Sequence, residues 1–173
     1  NYVPYILHLN FLHDCGLYRA YPELAGQGDG ALSGRYFAHK EGNQHRVPCA
    51  SRPLLAEILA EWMEDIAAQG AREVSCWLSE RPGQCGCEAC TAVGQFVLEA
   101  RAFMAAWATV RRQYPHFRIR VFLSTTTVER DHQVVAELPP EVKIERACAT
   151  RLERVPHMPR DLMANPLLDH CAA

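Results

Sequence analysis

Short stretches of extended character alternate with amphipathic helical stretches along most of this chain, and that alternation restricts the fold more than any other property. "YVPYILHLNFL" (Tyr2–Leu12), "REVSCWLS" (Arg72–Ser79), "FRIRVFLST" (Phe117–Thr125) and "VKIERACAT" (Val142–Thr150) are rich in β-branched and aromatic residues and read as strands. Leu54, Leu55, Ile58, Leu59, Trp62, Met63 and Ile66 recur at helical spacing. Ser51 is the candidate N-cap of that helix, Pro53 suits its first turn, and Gly70 suits the position just past its end. A second helix is expected from about Ala92 to Gln113, on a stripe of Val93, Phe96, Val97, Ala100, Phe103, Met104, Trp107 and Val110, with Pro115 stopping it. Arg130–Leu138 reads as a third, shorter helix. Tyr21–Cys49 holds Gly26, Gly28, Gly30, Gly34 and Gly42 without periodicity and reads as a long loop; such loops are usually functional. The tail, with Pro156, Pro159 and Pro166, is expected to be irregular.

Strands separated by helices imply a parallel sheet with right-handed crossovers. A doubly wound sheet and a piece of a (β/α)₈ barrel both fit. The expectation is an α/β chain, a parallel (β/α) barrel in the form of a partial TIM barrel of about four βα units. The 173 residues suit a single α/β domain spanning residues 1–173. A complete barrel needs about 250 residues. The chain is therefore expected to be a segment of a larger barrel protein, or to cover its open edges by forming a homodimer. It starts at Asn1 with neither Met nor a leader, which again suggests a piece of something longer.

A net charge of −2 gives no electrostatic basis for binding nucleic acid or an anionic membrane. No apolar run approaches the roughly 20 residues of a membrane span. No glycine-rich phosphate loop follows a strand, which argues against a dinucleotide or P-loop site.

The eight cysteines are clustered more than they are numerous. "CWLSERPGQCGCEAC" (Cys76–Cys90) carries Cys76, Cys85, Cys87 and Cys90. Thiolates bind Zn²⁺ tetrahedrally, and short spacing lets one loop offer several of them. Cys85, Cys87 and Cys90 supply three candidate ligands for a structural zinc, with Cys49, Cys76 or His45 as the fourth. A Cys85–Cys90 or Cys87–Cys90 disulfide and a set of packed free thiols are the alternatives. The spacing differs from the bacterial ferredoxin run, which argues against an iron–sulfur cluster. Cys76, in mid-strand, reads more naturally as a small buried hydrophobe.

In parallel α/β folds, function collects at the carboxyl ends of the strands. Those ends carry His8 and Asn10, then Ser79 and Glu80, then Ser124–Thr127 with Glu129, then Cys148 and Thr150. His13, Asp14 and Cys15 are weaker metal-ligand candidates. Trp62 and Trp107 lie on helix stripes and are expected in the core. Arg118 and Arg120 alternate with apolar neighbours and would point into a barrel near its base, which demands a partner such as Glu145.

Tyr21-Pro22-Glu23-Leu24, the glycine-rich stretch, Pro48-Cys49-Ala50-Ser51-Arg52-Pro53 opening a helix, and a strand ending in Ser79-Glu80 ahead of Cys85-x-Cys87-x-x-Cys90 form one ordered set. The set resembles an uncharacterised bacterial glycoside-hydrolase-like TIM-barrel family related to the alpha-glucuronidases and hexosaminidases. The likeness runs over roughly residues 5–150. Tyr21, Arg52 and Glu80 stand where that family has His, Asn and Asp, and the hexosaminidase Asp-Glu pair is missing because Ser79 precedes Glu80. The resemblance implies a glycoside hydrolase, or a domain of one, acting on a carbohydrate through two carboxylates. Glu80 is the first candidate, with Glu129 as its partner and Asp131 as a substitute. His8 and Asn10 would bond sugar hydroxyls, and Trp77 would stack on a sugar face or pack in the core. The missing acidic pair and the short chain favour instead a non-catalytic carbohydrate- or zinc-binding α/β module. Thiol redox chemistry is weaker than either.

Overall fold

The computed structural model describes residues 3–6, 9, 16–33, 45–79, 83–123 and 127–146. Six strands and five α-helices lie among them: β1 (Tyr5–Ile6), α1 (Leu17–Ala20), β2 (Leu32–Ser33), β3 (His45–Arg46), α2 (Pro53–Ala68), β4 (Glu73–Trp77), α3 (Glu88–Val93), α4 (Gln95–Val110), β5 (Arg118–Leu123), α5 (Asp131–Ala136) and β6 (Lys143–Arg146).

Helix α2 forms where its period and end signals place it. Leu55, Ile58, Leu59, Met63 and Ala67 share its buried face. At its end Gly70 adopts φ 91°. Its amide donates to the Ala67 carbonyl at 2.9 Å, and the Ala71 amide to the Ile66 carbonyl at 3.2 Å, a Schellman closure that satisfies the last carbonyls. The N-cap is Arg52 rather than Ser51, with Pro53 at the first helical position and no side-chain cap bond. Pro53 lacks an N–H and fixes φ, so the start needs less from a capping side chain, and Ser51 is left for another task.

Strands β1, β4, β5 and β6 form a parallel sheet in the order β1-β4-β5-β6. Tyr5 pairs with Ser75, Ser75 with Arg120, and Arg120 with Lys143. The spatial order repeats the chain order, so the described strands contain no reversal of the kind that defines a doubly wound sheet. Ile6, Val74, Cys76, Ile119, Val121, Leu123 and Ile144 join one hydrophobic core with the buried residues of α2, α4 and α5. The helices therefore cover one face. Cys76 is fully buried there, as its mid-strand place suggested, and burial drives its thiol pKa far up.

The opposite face carries polar and aromatic side chains. Arg120 donates to both Glu73 and Glu145, Ser75 Oγ donates to Glu145 Oε2 at 2.8 Å, and Lys143 Nζ lies 3.4 Å from Glu73 Oε1. The Glu145 partner expected for Arg120 is thus present, with Glu73 as a second, whereas Arg118 is exposed. Burial alone would raise the Glu73 pKa; the bond and charge of Arg120, with Lys143, outweigh it and leave the carboxyl below its ordinary value.

The single helix expected over 92–113 is two. Gly94 breaks it at φ 103°, ψ 142°, where most residues would be strained. Helix α3 begins earlier, at Glu88, with Cys87 as its N-cap. In α4, Phe96, Val97, Ala100, Phe103, Ala106, Trp107 and Val110 are buried, and Trp107 Nε1 donates to the Phe117 carbonyl at 2.9 Å. Trp107 is core as expected, while Trp62 is half-buried against the core's edge. The described part of the first expected strand is Tyr5–Ile6; Tyr2, Leu7, His8 and residues 10–12 lie outside the described residues. The supposed loop 21–49 contains two 3₁₀ turns (Pro22–Leu24 and Asp29–Ala31) and an antiparallel β2–β3 ribbon.

Candidate metal centre

Two segments distant in sequence meet beside the carboxyl end of β4. Residues 24–31 lie between the chain at 47–49 and the chain at 84–86. The Cys49 amide donates to the Leu24 carbonyl (2.7 Å), Gly26 to Val47 (3.0 Å), Gln84 to Gly30 (2.7 Å) and Gly86 to Gln27 (2.8 Å). The approach is close enough to require glycine at position 26, where an added Cβ would sit 2.5 Å from the Val47 carbonyl oxygen.

This lacing brings Cys49, Cys85, Cys87 and Cys90 together, with all four Sγ atoms within 4.8 Å of one another. A tetrahedral zinc with Zn–S of about 2.3 Å separates its sulfurs by about 3.8 Å; Cys49 and Cys87 already stand 3.7 Å apart. Cys49, Cys85 and Cys90 are buried and Cys87 is half-buried. All four are free thiols in this arrangement. The position left open between Cys49, Cys76 and His45 is taken by Cys49, because Cys76 belongs to the helix-covered core. The residues fit a metal ion: four soft donors, no competing side chain in the group, and the spread of a slightly expanded tetrahedron.

The surroundings act on the thiols in both directions. The Gln27 amide donates to Cys85 Sγ at 3.3 Å. Ser51 Oγ lies 3.4 Å from Cys49 Sγ and 3.6 Å from Cys87 Sγ, which is the task its release from capping leaves it. The Cys90 amide and the Ser51 hydroxyl bring the Cys87 pKa down to about 6. Burial pushes Cys90 up to about 12 and raises Cys49 as well. A bound cation would favour the charged form of all four ligands.

Behind the sulfurs lies a buried polar chain that the sequence did not announce. Gln95 Nε2 donates to the Pro48 carbonyl and to Glu99 Oε1, each at 2.8 Å, while its Oε1 accepts from the Cys85 amide at 3.1 Å. Gln84 accepts from the Gln95 amide at 3.0 Å and donates to the Cys90 carbonyl at 2.8 Å. Glu99 accepts from the Ser79 amide (2.7 Å) and hydroxyl (2.6 Å). Its carboxyl is fully buried, and burial outweighs these bonds to raise its pKa to about 7. The available signal was a polar pair one turn apart, Gln95 and Glu99, in line with the buried stripe that continues at Phe103.

Of the other candidates, Glu80, His8, Asn10, His13, Asp14, Cys15 and Cys148 lie outside the described residues. Trp77 is half-buried on the open sheet face, stacked between Tyr5 (5.1 Å) and Phe122 (4.3 Å), with its indole N–H on Ser75 Oγ at 3.0 Å. Glu129 is exposed. Asp131 is buried, 3.7 Å from Arg146, and burial raises its pKa against the opposing effects of Thr127 and Arg146.

Comparison of the chain with family models, with curated proteins and with solved structures gave no match. Among the described residues, no helix is long and apolar enough to cross a membrane.

Proposed function

We propose that this chain is a zinc-stabilised α/β domain in which Cys49, Cys85, Cys87 and Cys90 hold one structural Zn²⁺ that fixes the rim at the carboxyl end of β4. The convergence of four sulfurs within 4.8 Å carries this reading. Bound there, zinc would supply a closed tetrahedral crosslink rather than a reactive centre, since four protein ligands leave it no open position. The test is metal analysis of protein purified under reducing conditions. About one zinc per chain is expected, with a melting temperature that falls on chelation. A metal content near zero, iron in place of zinc, or a Cys85–Cys90 or Cys87–Cys90 disulfide would refute it.

A second reading concerns the enzyme such a rim would serve. The sequential parallel sheet, helix-covered on one face, is what four βα units of a TIM barrel would look like, and the polar face with Trp77 would then line the barrel interior. Together with the resemblance at Ser79-Glu80 and the cysteine motif, this supports a glycoside hydrolase domain with Glu80 as an acid/base carboxylate. Of the two candidates after β5, exposed Glu129 is open to a substrate and can stay ionised as the partner carboxylate, whereas Asp131 is buried beside Arg146. The barrel predicts that the chain dimerises or continues into further βα units, because β1 and β6 each have one strand neighbour among the described residues. Sedimentation of the longest native chain distinguishes these from a self-sufficient monomer.

A further inference from the structure

The Gln95–Glu99 pair links two places that the sequence treats separately. On one side Gln95 grips both ligand-bearing segments, through the Pro48 carbonyl next to Cys49 and through the amide of Cys85 itself. On the other side Glu99 holds the backbone and the hydroxyl of Ser79, just past β4. The two side chains bond each other at 2.8 Å and both are buried. They lie one turn apart on α4, a rigid support packed into the main core. The path from sulfur loop to strand end is therefore continuous and shielded from water, where hydrogen bonds are costly to break. Apolar residues at these two positions would leave the Cys85 and Ser79 amides and the Pro48 carbonyl without partners, so the two side chains are what tie the sulfur loop to the strand end.

We infer that Gln95 and Glu99 are positioning residues that couple the metal centre to the carboxyl end of β4, so that filling the four-sulfur site locks Ser79 in place. The inference rests on the zinc reading and adds to it a consequence for the strand end, where this architecture concentrates chemistry. Gln95 fixes the directions from which Cys49 and Cys85 present their sulfurs, as supporting bonds do around metal ligands. A metal that holds those segments holds Gln95, then Glu99, then Ser79. Linkage makes the effect reciprocal: loosening Ser79 must weaken metal binding by the factor by which metal tightens Ser79.

The experiment is amide hydrogen exchange followed by NMR on the whole chain, metal-free and with Zn²⁺ alone. Exchange at Ser79 is compared with that at Val121, a strand amide of β5 that pairs with Cys76 and takes no part in this path. Zinc should slow Ser79 about tenfold more than Val121, within the roughly 5–150-fold range of couplings between sites. Gln95→Met, which keeps side-chain length and helix preference, should bind Zn²⁺ and Co²⁺ more weakly, and at metal concentrations high enough to fill the site, as read by the Co²⁺ thiolate charge-transfer absorption, the extra slowing at Ser79 should vanish. Zinc uptake with Ser79 and Val121 responding alike, or a Gln95→Met protein that keeps the Ser79 response, would overturn the inference and leave the metal site standing. Absence of zinc uptake by the unaltered chain would overturn both. Should Gln95→Met fail to fold, Ser79→Ala gives a second measurement: it removes the hydroxyl bond to Glu99 and should weaken Zn²⁺ binding severalfold, whereas unchanged affinity counts against the coupling.

Discussion

Replacing Glu99 with Gln should change how stability depends on pH, by an amount that follows from the burial of this carboxyl. Its pKa is about 7 in the folded chain against an ordinary 4.5, and desolvation is the leading cause. The raised value means the folded state holds the proton more tightly than the unfolded state. The protonated group therefore contributes its full stability below pH 4.5 and loses it as pH rises through about 7. At about 1.36 kcal/mol per pH unit, the difference is roughly 3 kcal/mol between acid and mildly alkaline solution. The amide of the Glu99→Gln protein does not titrate. It also brings one N–H against either the Ser79 amide or the Gln95 amide, so a fixed loss of about 1–3 kcal/mol is expected at every pH. Urea unfolding of both proteins from pH 5 to 8, at saturating zinc, separates the two effects. The advantage of the unaltered chain over Glu99→Gln should shrink by about 2.5 kcal/mol across that range, since part of the effect is already lost by pH 5. Stability profiles that stay parallel would refute the argument, because they would mean that Glu99 keeps one charge state throughout or is hydrated.

Removing the guanidinium with Arg120→Met leaves Glu73, whose side chain is 9% exposed, with Lys143 as its remaining charge partner, and a loss of about 2–4 kcal/mol in urea unfolding is expected, below the roughly 3–5 of a fully buried pair because Arg120 is itself 20% exposed and Lys143 stays in place. Gly94→Ala forces a Cβ into φ 103° at the junction of α3 and α4, and should lower stability by about 1 kcal/mol or more; an unchanged melting temperature would mean that the break relaxes. In a hydrolytically active native chain containing this domain, Glu80→Gln should reduce turnover by about 10²–10⁴-fold with little change in melting temperature; lost stability with unchanged turnover would make Glu80 a structural partner.

What was legible depended on whether the cause was local. Helix α2 could be read because its stripe, its proline and its Schellman glycine all lie within one stretch of chain. The α3–α4 break was harder: Val93, Phe96 and Val97 continue a plausible apolar stripe across Gly94, and a glycine inside a stripe is often tolerated. Only the positive φ, needed to turn the thiol-bearing segment back onto residues 24–31, makes it a boundary. Cys85, Cys87 and Cys90 announced themselves by spacing. Cys49 was one of several options for the fourth position, since it arrives through tertiary lacing by backbone bonds that carry no side-chain signature. Gln95 and Glu99 were illegible for the opposite reason. Polar residues on an amphipathic helix are normally assigned to solvent, and only the partners waiting at Ser79, Pro48 and Cys85 make their burial tolerable.

A metal would suit this place better than a larger apolar cluster. The loop from Gly83 to Cys90 spans eight residues, and ordering it costs about 1–2 kcal/mol per residue, roughly 8–16 in all. Its own core is slight: Cys49, Cys85 and Cys90 form a buried group separate from the main one, with only Cys87 and Leu98 packed against it. Backbone bonds to Gln27 and Gly30, and the bonds through the Gln84 and Gln95 side chains, are its other supports. A structural zinc would add a crosslink whose binding free energy counts toward folding. A glycine-rich segment pressed close to Val47 has no room for the large side chains that would otherwise do this. Four sulfurs and one ion would be a compact means of ordering the rim of β4 without filling the space beside it.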